Sequence, residues 1–229
     1  MRLTTELAGP FRLAVFAGAV AAVLVPGPGA AQGLKMTPVD QASQDPSFVE
    51  YRTALLDGVR ARDAGRVVAM AAPDIMLSFG GSAGSESFRR NFSGTESWQG
   101  EAYWNELQRI LELGGVFFED GAFCSPYLAC LDVPGCPDCD PFETVFVTGR
   151  DVMARAKPAA GAQIVARLSY DVLRLDVEAY AGDDWYPVHL PGGGKAFVYA
   201  GDARMSIDYR ARFEKLGGRW RMTVFIAGD

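Results

Sequence analysis

Near residue 143 the repeat of apolar residues changes from helical spacing to short alternating runs, and a chain that carries both periods in succession folds as a mixture of helices and sheet. Upstream, Asp45-Pro46 supplies an N-cap and a first-turn proline, and Phe48, Tyr51, Leu55 and Val59 recur on one helical face. A second short helix is expected after Asp63, carrying Val67, Val68 and Met70; Pro73 ends it and Ile75 to Phe79 form a strand. Residues 101–113 place Trp104, Leu107 and Leu111 on one face and Asn105, Gln108, Arg109 and Glu112 on the other. Gly114-Gly115 stops that helix, and Val116 to Phe118 begin another strand. Downstream, turn residues separate strands expected at 144–148, 152–156, 163–168, 172–178, 185–189 and 195–199, a spacing that suggests a small barrel.

The end of the chain specifies a hairpin with a testable register. Gly217-Gly218 lies between two alternating runs. Pairing Leu216 with Arg219 sets Phe213 opposite Met222, Ala211 opposite Val224 and Tyr209 opposite Ile226 on one face, and Glu214 opposite Arg221 on the other. Apolar then meets apolar and charge meets opposite charge.

Arg2 and Arg12 flank the start of an apolar run from Phe11 to Val25, followed by Pro26, Pro28 and the small residues Gly29, Ala30 and Ala31. This is the order of a secretory signal, too short to span a bilayer, with cleavage expected after Ala31. The residue directly after that site is Gln32 and not a cysteine, which argues against a lipid anchor, and no later apolar stretch is long enough to cross a membrane, so the expectation is a soluble periplasmic or secreted protein. Losing residues 1–31 removes Arg2, Arg12 and Glu6 and takes the net charge from −6 to −7. So acidic a body offers no electrostatic footprint for nucleic acid or anionic lipid.

Cys124, Cys130, Cys136 and Cys139 fall in one short, proline-containing stretch. In an oxidising compartment this even count favours two disulfides, whose pairing the spacing leaves open. A four-thiolate zinc site is the rival, but the five residues between Cys124 and Cys130 match a zinc knuckle poorly. A redox Cys-x-x-Cys would sit at a helix N-terminus, whereas Pro134, Pro137 and Pro141 indicate loop.

Catalytic patterns are sparse. Gly80-Gly81-Ser82-Ala83-Gly84 fits the nucleophile-elbow pattern after an expected strand, and Asp183 or Asp184 and then His189 follow in hydrolase order. The second half lacks the β-α units such a fold needs, so a glycine-rich turn is the simpler account. His189 is the sole histidine, which excludes a multi-histidine metal site. Pro191-Gly-Gly-Gly-Lys195 lacks the Ser or Thr of a phosphate loop, and the acidic clusters Asp183-Asp184, Glu119-Asp120 and Asp138/Asp140 have no ligand spacing, so they are expected as exposed loop charge. No metal and no cofactor are expected.

Between Val147 and Val198, Gly149, Val152, Arg155 and Pro158 are followed by the apolar Ile164, Leu168 and Val172, by Trp185 with Val188 in a Trp-x-x-Val strand, and by Phe197-Val198. In this order the segment resembles a bacterial SH3-like domain, with its opening segment, its apolar strands, its Trp-x-x-Val strand and its closing Trp-Val. Ala196 replaces the usual glycine before the closing aromatic, and Ala154 departs from the usual opening. The resemblance covers about a quarter of the chain. It implies attachment to peptidoglycan or to an envelope protein through an aromatic groove, with Trp185, Tyr186, Phe197 and Tyr199 as candidates. Strand alternation makes Trp185 and Phe197 core-facing and Tyr186 and Tyr199 the ligand-facing pair. With its Phe79-Gly80-Gly81 turn and its Trp104-x-x-Leu107 helix ending in Leu113-Gly114-Gly115, the first half is similar to a companion domain of unassigned function in proteobacterial SH3-like proteins. Its helix-helix-strand order, completed by the terminal hairpin, also resembles the cone-shaped fold of nuclear transport factor 2, in which case the barrel is an insertion.

The resulting expectation is an α+β fold. It comprises a signal peptide (1–31), a flexible lead-in (32–44), an N-terminal α+β domain (45–122), a cysteine-rich loop (123–142), an SH3-like barrel (143–204) and a C-terminal hairpin (205–229). The expected function is non-catalytic binding. A hydrolase built on Ser82 and a small-ligand binder with a pocket walled by Tyr103, Trp104 and Phe117 are the alternatives.

Overall fold

The computed structural model describes residues 33–94, 96–182 and 184–228. The leader, its cleavage site and Asp183 lie outside the described residues. The helices are α1 (Pro46–Arg60), α2 (Ala64–Met70), α3 (Gly84–Asn91) and α4 (Glu101–Glu112). The strands are β1 (Ala71–Met76), β2 (Val116–Phe117), β3 (Phe123–Ser125), β4 (Thr144–Val147), β5 (Val152–Arg155), β6 (Ile164–Leu168), β7 (Val172–Leu175), β8 (Trp185–His189), β9 (Lys195–Tyr199), β10 (Ala203–Met205), β11 (Arg210–Leu216) and β12 (Arg219–Ile226). They form a five-stranded sheet in the order β1-β12-β11-β3-β2 and a seven-stranded sheet in the order β10-β4-β7-β8-β9-β5-β6.

This is a mixed α+β fold, and the second sheet is an insertion: all its strands lie in the chain between β3 and β11, which pair with each other in the first sheet. The terminal hairpin thus completes the N-terminal unit. The expected barrel is not closed among the described residues, because the end strands β6 and β10 do not pair. Small barrels need that last ladder to remove their edges.

Local chemistry accounts for α1. Asp45 Oδ1 accepts from the Ser47 and Phe48 amides at 2.9 and 3.2 Å, and Pro46 occupies the first turn. Lys215 at 2.7 Å binds the other carboxylate oxygen, and these bonds hold the Asp45 carboxyl down at about 2. Phe48, fully buried, is the hub of the first core, with the rings of Phe123, Trp220 and Phe213 centred 4.2, 4.9 and 5.5 Å away.

Three expectations are corrected here. Pro73 does not end a helix before a strand at 75–79; it lies within β1, which starts at Ala71. Since β1 is an edge strand, a residue without an N–H is tolerated there. The lead-in is not flexible from residue 33 onward. Met36 is buried, its amide donates to Tyr170 O at 2.8 Å, and Leu34 O accepts from Val172 N at 2.9 Å. Lys35 pairs with the buried Asp171 at 2.7 Å. Met36 thereby joins Val116, Tyr127, Leu128, Phe146 and Val172 in a small core between the two sheets. The segment 123–142 is not all loop, since β3 opens it inside the first sheet.

The hairpin register holds from Leu216–Arg219 to Phe213–Met222 and then slips. Beyond it Arg212 pairs with Val224, Ala211 with Phe225 and Arg210 with Ile226, leaving Thr223 as a bulge whose hydroxyl donates to Arg212 O at 3.3 Å. Gly217 and Gly218 both have positive φ, 57° and 77°, as the two-residue turn requires. The bulge delivers Phe225, rather than Val224, into the core.

The cysteines form two disulfides, Cys124–Cys130 and Cys136–Cys139. Reduction is expected to loosen the loop they staple while the helices persist, because loops this short contribute about 2–3 kcal/mol each. Far-UV circular dichroism with urea denaturation checks this; loss of helical signal on reduction alone would contradict it.

Candidate functional site

The aromatic strands β8 and β9 pair Trp185 with Tyr199, Tyr186 with Val198, Pro187 with Phe197 and Val188 with Ala196. Cross-strand partners share a face. Tyr186, Val188, Ala196 and Val198 are buried in the core of the second sheet. Trp185, Phe197 and Tyr199 therefore lie on the opposite face. This reverses the expected assignment for three of the four: Tyr186 is a core residue at 7% exposure, and Trp185 and Phe197 lie on the outward side with Tyr199, which is 47% exposed. Alternation separates two faces but does not tell which one is buried when both carry aromatics.

On that outward face the Trp185 and Tyr199 rings are centred 5.5 Å apart. Gly201 gives the tyrosine its seat, since a Cβ there would lie 2.4 Å from the ring. Arg155 pairs with Phe197 and with Ile164, and Met153 follows on the same side of β5. Met153 and Ile164 are both 40% exposed, so apolar side chains extend the aromatic patch into solvent.

The far end of the same face is charged. His189 Nε2 lies 3.3 Å from Arg174, and Lys195 pairs with Asp176 at 2.6 Å, which holds that carboxyl below the usual range. A groove of about 520 Å³ opens there between Leu34, Pro191, Arg174, His189 and the Cys136–Cys139 disulfide.

Ser82 and His189 belong to different parts of the fold. Ser82 sits in the turn between β1 and α3, where its amide donates to Ser78 Oγ at 2.9 Å, and His189 ends β8 in the other sheet. No hydrogen bond links the two among the described residues. Of the three expected pocket walls, Tyr103 and Trp104 are packed in the first core. Phe117 lines an open cavity of about 560 Å³, shared with Trp220, Asp45, Asp120 and Glu214. Among the described residues no group of three or more His, Cys, Asp or Glu gathers to hold a metal ion, and no helix is long and apolar enough to cross a membrane.

Sequence reasoning missed a second polar site, at the seam between α4 and the inserted sheet. Arg204, in the middle of β10, is 1% exposed. Its Nη2 donates to Tyr209 O at 2.6 Å, while its Nη1 stands 3.9 Å from Glu106 and has no hydrogen-bond partner. Nothing in the sequence distinguishes this arginine from a surface one.

No protein-family model matches the chain, and no curated protein matches it. Among solved structures it is similar to a protein of unknown function with a cystatin-like fold from Nostoc punctiforme, at 12% identity over 82% of this chain and 93% of that one, with a TM-score of 0.26. It is also similar to a protein described as a calcium/calmodulin dependent protein kinase II association domain from Xanthomonas campestris, at 13% identity over 84% and 96%, with a TM-score of 0.24. Similarity this loose assigns neither fold nor function.

Proposed function

We propose that the chain is an exported, non-catalytic binding protein that attaches to peptidoglycan through the outward face of β8, β9 and β5. The observation that supports it is the Trp185–Tyr199 ring pair, held on rigid strands and continued by Phe197, Met153 and Ile164 where polar side chains would satisfy the fold equally well. The likeness of 147–198 to bacterial SH3-like domains points the same way, and two disulfides suit an oxidising compartment.

Co-sedimentation of residues 32–229 with purified sacculi tests the proposal. The wild type is expected to pellet, and Tyr199→Ala and Trp185→Ala each to weaken binding about tenfold, since an aromatic anchor is worth more than 1 kcal/mol. Gly201→Ala is expected to act in the same direction by displacing the tyrosine ring. A wild type that stays in the supernatant removes the peptidoglycan reading and moves the search to envelope proteins.

A further inference from the structure

The chain carries a net charge of −6, but strands β5 to β9 hold four cations, Arg155, Arg167, Arg174 and Lys195, and no Asp or Glu. All four belong to the outward aromatic face, because cross-strand partners share a face: Arg155 pairs with Phe197, Arg167 with Met153, Arg174 with His189 and His189 with Lys195. Three of them already have a carboxylate from outside these strands, Asp151 at 3.8 Å for Arg167, Glu143 at 3.6 Å for Arg174 and Asp176 at 2.6 Å for Lys195. Among the described residues Arg155 has none: its Nη1 donates to Ala162 O at 2.8 Å, and its Nη2 reaches the Met153 sulfur at 3.5 Å, a weak acceptor. A guanidinium anchored at one end thus stands between Phe197 and Ile164 with N–H groups unspent.

We infer that Arg155 is the specificity-determining residue of this face and takes a carboxylate of the wall's peptide stems, not a group of its glycan strands; the inference rests on the peptidoglycan reading above. The inventory of donors and acceptors supports it. No Asp, Glu, Asn, Gln, Ser or Thr occurs in the five strands, which leaves Tyr199 and His189 as the outward side chains of these strands with an oxygen or nitrogen able to accept. A sugar hydroxyl both donates and accepts, so a glycan strand would leave its donors without protein partners here. A carboxylate only accepts, which suits a face of donors, and the planar guanidinium fork matches its two oxygens. The Trp185 and Tyr199 rings are inclined at 57° to each other, so they offer no single plane for a sugar ring to lie on. Small apolar side chains beside the bound carboxylate would rest on Phe197, Met153 and Ile164.

Co-sedimentation of residues 32–229 with native sacculi and with sacculi whose carboxyl groups are converted to amides tests this. Peptides and glycan strands released from sacculi by amidase digestion serve as separate soluble competitors. Amidation is expected to weaken binding at least about tenfold, the loss of a hydrogen bond to a charged group, and the free peptides to compete where the glycan strands do not. Arg155→Gln should weaken binding to native sacculi by the same factor and be indifferent to amidation. Arg167→Gln, which removes a cation already paired with Asp151, should cost less than about threefold. Binding undiminished by amidation, competition by the glycan strands instead of the peptides, or equal losses in the two variants would overturn the role of Arg155 and leave wall attachment standing. A wild type that ignores native sacculi would remove both.

Discussion

Phe225→Ala is expected to lower the free energy of unfolding by about 4 kcal/mol, while Val224→Ala changes it by less than about 1 kcal/mol. Phe225 is fully buried and its ring meets those of Tyr209 at 4.7 Å, Tyr103 at 4.9 Å and Phe88 at 6.3 Å. Removing it leaves a cavity bounded by rigid rings that cannot collapse. Val224 is only partly buried, opposite Arg212. At about 2–4 °C per kcal/mol for a chain of this size, the first variant should melt roughly 8–16 °C lower and the second almost unchanged. A regular hairpin without the bulge would reverse the order, so equal or inverted losses in urea denaturation would refute the register described above.

Glu106→Ala is expected to cost about 3 kcal/mol, because it leaves the Arg204 guanidinium buried with its nearest carboxylate gone. Asp208 still acts on Arg204 through space, which keeps the expected loss at the low end for a broken buried pair. Arg204→Met removes the buried charge, and Glu106, with a side chain 30% exposed, can then turn to water. The double variant should accordingly be more stable than the sum of the single losses predicts, by at least about 1 kcal/mol in a double-mutant cycle. Additive losses would show that the two groups do not sense each other.

What was legible in the sequence was what neighbours along the chain decide. The Asp45-Pro46 cap and the apolar stripe of α4 are such local signals, and β8 and β9 have the bounds that alternation and turn residues marked. α3 escaped notice because Phe88 is the one large apolar residue within it, too few to show a period after the glycine-rich turn. The lead-in misled for a different reason. Its small, polar side chains suggested mobility, but Leu34 and Met36 are held through backbone hydrogen bonds to Val172 and Tyr170, which composition does not report.

The candidate site divides along the same line. That β8 and β9 carry an aromatic face was readable; which face it was depended on where the core formed, and burial of Tyr186 with Val188 and Val198 settled that. The bulge at Thr223 likewise answers to packing, since it is the core between helices and sheet that selects Phe225 over Val224. By itself the sequence determined the types of the elements with a clear period, the terminal turn, the Asp45 cap and an even set of cysteines that favours disulfides, because dihedral preference, capping and short-range periodicity act within a few residues. Only the tertiary structure decided that the second sheet is inserted, that it stays open, which cysteines pair, and that Arg204 is buried beside Glu106. Those outcomes depend on which surfaces meet across tens of residues, and burial, not local preference, sets their free energy.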